Sequence, residues 1–101
     1  MVVGVCQIDL FIHGNASLKG KRRVLRQIID RVKSRYNVSI SEVGDNDLWQ
    51  RAKLGLSVVG NDSRHINSSL DNVIHFIDAV NIAEVIHSEI EIIHMHGQGG
   101  S

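Results

Sequence analysis

Proline is absent from the 101 residues, cysteine occurs once, and the aromatics amount to one tryptophan, one tyrosine and two phenylalanines. A lone Cys6 excludes an intrachain disulfide and any cysteine-based zinc cluster, and fits a reducing compartment. Neither sign of charge is in excess: eleven Lys and Arg balance eleven Asp and Glu. Net charge therefore does not announce a nucleic-acid protein, and its distribution has to be followed along the chain. No apolar run approaches the ~18 residues of a membrane span. The opening MVVGVCQIDLFI lacks the basic region and small-residue cleavage site of a signal peptide, and Gln7 and Asp9 interrupt it. The expectation is a cytoplasmic protein with no membrane partner. With no long linker and no internal repeat, residues 1–96 read as one domain and 97–101, GQGGS, as a loose tail.

The apolar residues that are present, 43% of the chain, are ordered by two periods. Alternation over 2–12 reads as a strand, with Val2, Gly4, Cys6, Ile8, Leu10 and Ile12 on one face. Over 17–36, Leu18, Leu25, Ile28, Ile29, Val32 and Tyr36 recur at helical spacing behind Ser17, a candidate N-cap, with Asn37 as a stop signal. Strands are expected at 38–43 and about 49–60, joined by the turn-forming GDND. A second helix is expected over about 63–80, capped by Asn61 or Asp62, with Ile66, Leu70, Val73, Ile74 and Ile77 as its core stripe. A last strand at roughly 84–95 places Ile86, Ile90 and Ile92 inward and His87, Glu89 and Glu91 outward. The order β-α-β-β-α-β, with one apolar stripe per helix, implies a ferredoxin-like α+β sandwich. In it a four-stranded antiparallel sheet carries both helices on one face. Val3, Val5, Phe11, Val59, Val85, Ile93 and Met95 then fall on the open face. So much apolar surface suggests partial cover by a partner such as a second copy, on that face or along an edge strand.

Charge is unevenly placed. Eight of the eleven cations lie between positions 19 and 35: Lys19, Lys21, Arg22, Arg23, Arg26, Arg31, Lys33 and Arg35, with only Asp30 opposing them. At 100° per residue, Lys19, Arg22, Arg23, Arg26 and Lys33 share the face opposite the apolar stripe, and Arg31 and Arg35 flank it. Lys21 points into the apolar arc, close enough to the helix start for its ammonium to snorkel past the core. A solvated face is the plain alternative. Two features weigh against it. Unmixed signs forbid most i,i+4 ion pairs, and cations near the first turn oppose the helix dipole at up to ~1 kcal/mol each. A helix start ringed with Lys and Arg suits phosphate. The strand–turn–helix GNASLKGKRR resembles a phosphate-binding Walker loop, but five residues separate Gly14 from Gly20 and Arg22 stands where the magnesium-binding hydroxyl belongs.

The stretches S-L-K-x-K-R-x-V-L at 17–25, Y-N-V-S-I-S-E-V at 36–43 and D-L-W-Q-x-A at 47–52 resemble the YlxP-like family, also called domain of unknown function 503. Members commonly carry phenylalanine where Tyr36 stands and a bulkier residue at Gly20. The resemblance implies a small bacterial protein of ferredoxin-like fold, encoded beside translation factors and a ribosome-binding maturation factor. It supplies no activity of its own.

Other chemistry is thinner. Base stacking as in an RRM needs aromatics in the first and third strands, and RAKLGLSVV has none. RNA contact through helix 1 to phosphates is the expectation instead, with RNA or a ribosomal subunit as partner and Trp49, Arg51 and Lys53 as possible support. Trp49 reads first as a hairpin anchor on the core edge, with base stacking as the alternative. Arg51 and Lys53 read first as cross-strand partners of Gln7 and Asp9. His94 and His96 share a strand face but lack a third ligand at recognisable spacing, and Asp45 and Asp47 lack the rest of a calcium loop. No nucleophile–base spacing stands out. The expectation is a non-enzyme without metal or cofactor. The alternatives are a homodimeric interaction module and, more remotely, an enzyme acting on a phosphorylated metabolite.

Overall fold

The structure is a computed structural model that describes residues 1–96. The tail expected at 97–101 lies outside the described residues. The elements are β1 (Val2–Phe11), α1 (Leu18–Arg35), β2 (Ser39–Gly44), β3 (Arg51–Gly60), α2 (Ser63–Val80) and β4 (Glu84–His94). They form one sheet in the order β2-β3-β1-β4, every pairing antiparallel. This is the ferredoxin-like sandwich expected from the two periods.

The ends of the helices follow from local chemistry. The Ser17 hydroxyl accepts the Gly20 N–H at 3.0 Å, and the Asp62 carboxylate accepts that of Arg64 at 3.0 Å. Each satisfies one donor that the first helical turn leaves free. Helix α1 closes on Tyr36, one residue before the expected Asn37, and α2 on Asn81 in the left-handed region at φ 59°. Between the helices and the sheet lies the core, with Ile8, Leu10, Leu54, Val32, Leu70 and Val73 sealed from solvent. Tyr36 meets Phe76 edge to face at 5.6 Å, and the Arg35 guanidinium lies over the Phe76 ring at 5.0 Å, tying the end of α1 to α2.

Two bulges shift the strict alternation. Opposite β1, Asp9 pairs with His87 but Leu10 with Val85, so Ile86 is an extra residue. Val85 therefore packs against the core, and Ile86 is turned out at 41% exposure. This reverses the inward Ile86 and outward Val85 expected from alternation. On β2, Val43 is the extra residue, and its side chain covers the place where Gly55 has none.

Cys6 is buried on the core side of β1. Burial first, and the Asp71 carboxylate second, push its thiol up from 9.0 to about 11. Between those values the unfolded thiol ionises and the native one keeps its proton. Its stabilising contribution is thus whole below pH 9 and is lost as pH rises through 11. Wild-type stability should fall across that window more steeply than that of Cys6→Ala, by on the order of 2–3 kcal/mol. Urea titrations at several alkaline pH values measure the difference.

Candidate nucleic-acid interface

Lys21 departs most from its expected place. Its side chain is 1% exposed and does not snorkel out. Its Nζ donates to the backbone carbonyls of Asp45 (2.5 Å) and Leu48 (2.8 Å) and sits 3.0 Å from Glu42 Oε2. The hydrogen bonds aim at the carbonyls, so the buried Glu42 Oε2 is held by charge rather than by an aligned bond. Lys21 is consequently removed from the surface anion-binding set: the partners that use its ammonium are inside the chain. A sequence signal for this existed. Lys21 falls in the apolar arc of α1, and Glu42 shares strand parity with the core residue Ile40.

Around this ion pair the start of α1 and the β2–β3 loop are clasped together. Asp45 adopts the left-handed region at φ 59°, and its carbonyl also accepts the Leu48 N–H at 3.0 Å. Asn15 Nδ2 donates to the carbonyls of Ser17 (2.8 Å) and Trp49 (2.5 Å). A Cβ on Gly20 would run into Asn15 Oδ1, so glycine lets Asn15 lie against the first turn. The residues that resembled a Walker loop thus hold backbone carbonyls of a neighbouring loop. Asn15 and Lys21 on one side, and the carbonyls of Asp45, Leu48 and Trp49 on the other, are the two sides of one structural clasp.

The clasp holds the loop by its backbone and leaves its large side chains outside. Trp49 is 54% exposed and Leu48 47%. Trp49 is therefore not the core-edge anchor expected from sequence. Together with Phe11, Asn15, Ala16 and Arg51 these residues line an open depression beside the start of α1.

The remaining seven cations of α1, Lys19, Arg22, Arg23, Arg26, Arg31, Lys33 and Arg35, are all exposed. Among the described residues none of them lies within ion-pair distance of a carboxylate. The first turn contains no acidic residue to offset the dipole, whereas Lys33 and Arg35 suit the last turn. Lys53 is engaged elsewhere: it stands opposite Asp9 in register and 3.4 Å from its carboxylate, as cross-strand pairing led us to expect. Arg51, opposite Phe11, has no such partner among the described residues.

The open sheet face is divided. Near one end Val3, Val59 and Ile93 are in register, with Val59 and Ile93 exposed. Further along, Gln7, Glu89 and Glu91 surround the trough at Gly55. His94 ends β4 and His96 follows it, both exposed. No helix among the described residues is long and apolar enough to cross a membrane.

Residues 3–90 match the family described as protein of unknown function (DUF503). The Bacillus subtilis (strain 168) protein described as uncharacterized protein YlxP is 38% identical over 78 residues, which is 77% of this chain and 85% of that relative. Among solved structures, the de novo designed protein Foldit4 is similar over 94% of this chain and 98% of its own, with a TM-score of 0.56. At 15% identity that likeness concerns the fold alone.

Proposed function

The chain belongs to the DUF503 family, whose description assigns no activity, and from its own surface we propose a non-enzymatic, cytoplasmic accessory protein that binds RNA phosphates through helix α1. The observation that carries this is the row of five exposed cations on one face, Lys19, Arg22, Arg23, Arg26 and Lys33, flanked by Arg31 and Arg35, none with a carboxylate partner among the described residues. An unpaired row of one sign repels itself and gains nothing from i,i+4 pairing. A polyanion relieves that repulsion and releases counterions, which makes binding salt-sensitive and weakly sequence-specific. Structured or ribosomal RNA is the partner of matching chemistry, and the translation-linked setting implied by the family resemblance favours the same class.

Charge reversal at Arg22, Arg23 and Arg26 tests this. The triple Glu variant should keep its fold by circular dichroism and lose co-sedimentation with RNA or small ribosomal subunits at low salt, with affinity down at least a hundredfold. Unchanged retention would sink the proposal. The alternative, a homodimeric interaction module, is favoured by the apolar end of the open sheet face at Val59 and Ile93. Self-association in sedimentation across salt concentrations, with no RNA retained, would support the homodimer instead.

A further inference from the structure

We propose that the depression beside the start of α1 is a stacking site for an unpaired RNA base, with Trp49 as its platform. This rests on the phosphate reading of α1 and specifies the kind of RNA: a single strand or loop rather than a duplex.

Three observations support this. First, Trp49 is 54% exposed although its loop is held from within. Its carbonyl accepts from Asn15, that of Leu48 accepts from the buried Lys21, and that of Asp45 from Lys21 and the Leu48 N–H. A large indole kept in water on a clasped loop is preorganised for a ligand, because little backbone freedom remains to be lost on binding. Second, the depression pairs this indole with Phe11 and Leu48, while Arg51 at its rim has no carboxylate partner among the described residues. Aromatic and apolar walls with an adjacent guanidinium accept the π-face of any base. Third, Ala16 on the rim immediately precedes the N-cap Ser17, and Lys19, Arg22 and Arg23 follow on that helix within about 9 Å along its axis. In this proposal the cations of that helix take the phosphates that flank a nucleotide stacked on Trp49. Asp47, also on the rim, disfavours phosphate in the depression itself and offers an acceptor to an exocyclic amino group. The arrangement differs from RRM stacking, which uses the middle of the sheet: here the platform is the β2–β3 loop.

Trp49 is the only tryptophan, so its emission reports this site alone. Titration with a short oligouridylate at low salt should quench Trp49 fluorescence saturably, and a matched RNA duplex should bind by anisotropy without comparable quenching. Trp49→Ala should weaken oligouridylate binding about tenfold and duplex binding less than twofold, while Trp49→Phe keeps most of the affinity. Both variants should melt like wild type, since the loop is held by backbone carbonyls. Binding of oligouridylate with unquenched emission and no effect of Trp49→Ala would overturn the stacking site while leaving the phosphate surface standing. Absence of binding to either RNA would overturn both. Loss of self-association in Trp49→Ala, without RNA quenching, would assign the depression to a protein partner.

Discussion

Replacing Lys21 by alanine should cost about 3–5 kcal/mol of stability, the largest effect expected of any single cation in this chain. The ammonium is sealed from solvent and serves three partners at once: it donates to the carbonyls of Asp45 and Leu48 and is the counter-charge of Glu42 Oε2. Removing it leaves a buried carboxylate oxygen without its counter-charge, strands two carbonyls and opens a void where the aliphatic stem lay. For a domain of this size the total stability is about 5–15 kcal/mol, so the variant should melt roughly 15 °C or more below wild type. The diagnostic is a double variant. Lys21→Met with Glu42→Leu removes both charges and refills the space, and it should recover about 2 kcal/mol or more relative to Lys21→Ala. Urea unfolding of wild type, Lys21→Met, Glu42→Leu and the double variant measures the coupling. A cost below about 1 kcal/mol for Lys21→Ala would mean that the ammonium is solvated in the native state, which would return Lys21 to the surface set. Because the same ammonium fixes the Leu48 carbonyl beside Trp49, tryptophan emission should change in Lys21→Ala even under native conditions.

The periods in the sequence made the elements legible, since each element's apolar stripe has only one partner surface. Helix caps were legible for the same local reason: Ser17 and Asp62 act on donors two or three residues away. The cross-strand pairing of Asp9 with Lys53 followed from parity on two neighbouring strands. Where an extra residue enters a ladder, parity misleads. Ile86 and Val85 exchange faces because β4 spends one residue more than β1 at Asp9–Leu10, and no local propensity marks that insertion. Lys21 was misplaced for a different reason. Helical angle put it in the apolar arc, which was correct, but its fate depended on Glu42 and two carbonyls far along the chain. Trp49 was misread because aromatic residues next to turns usually pack inward. Here Asn15 and Lys21 hold the turn instead, so the indole is not needed as an anchor and remains outside. The candidate site was therefore half legible: its cations could be counted from sequence, but the clasp that positions the depression beside them could not.

Helix α2 is seated on β1 at Gly4, and this contact carries the second large effect. A Cβ at Gly4 would run into Ile66 Cγ2 and lie 2.8 Å from Leu70 Cδ1. Leu70 is sealed from solvent, so Leu70→Ala should cost about 2–5 kcal/mol through lost burial and the cavity left behind. Gly4→Ala should cost about 1–3 kcal/mol for the opposite reason. The β-branched Ile66 has little χ1 freedom, so the added methyl is accommodated by lifting α2 rather than by turning a side chain. Combined, the two changes should cost less than their sum by about 0.5–2 kcal/mol, because the new methyl enters space that Leu70 has vacated. Ile66 still opposes it, so the rescue is partial. Strict additivity in urea unfolding would show that α2 relaxes independently at the two positions and would refute the tight seat. Neither residue lies on α1 or in the β2–β3 loop, so both single variants should bind RNA like wild type while folded. Loss of stability with unchanged binding there, set against loss of binding with unchanged stability in the Arg22, Arg23 and Arg26 reversal, separates the core that holds the surface from the surface that does the binding.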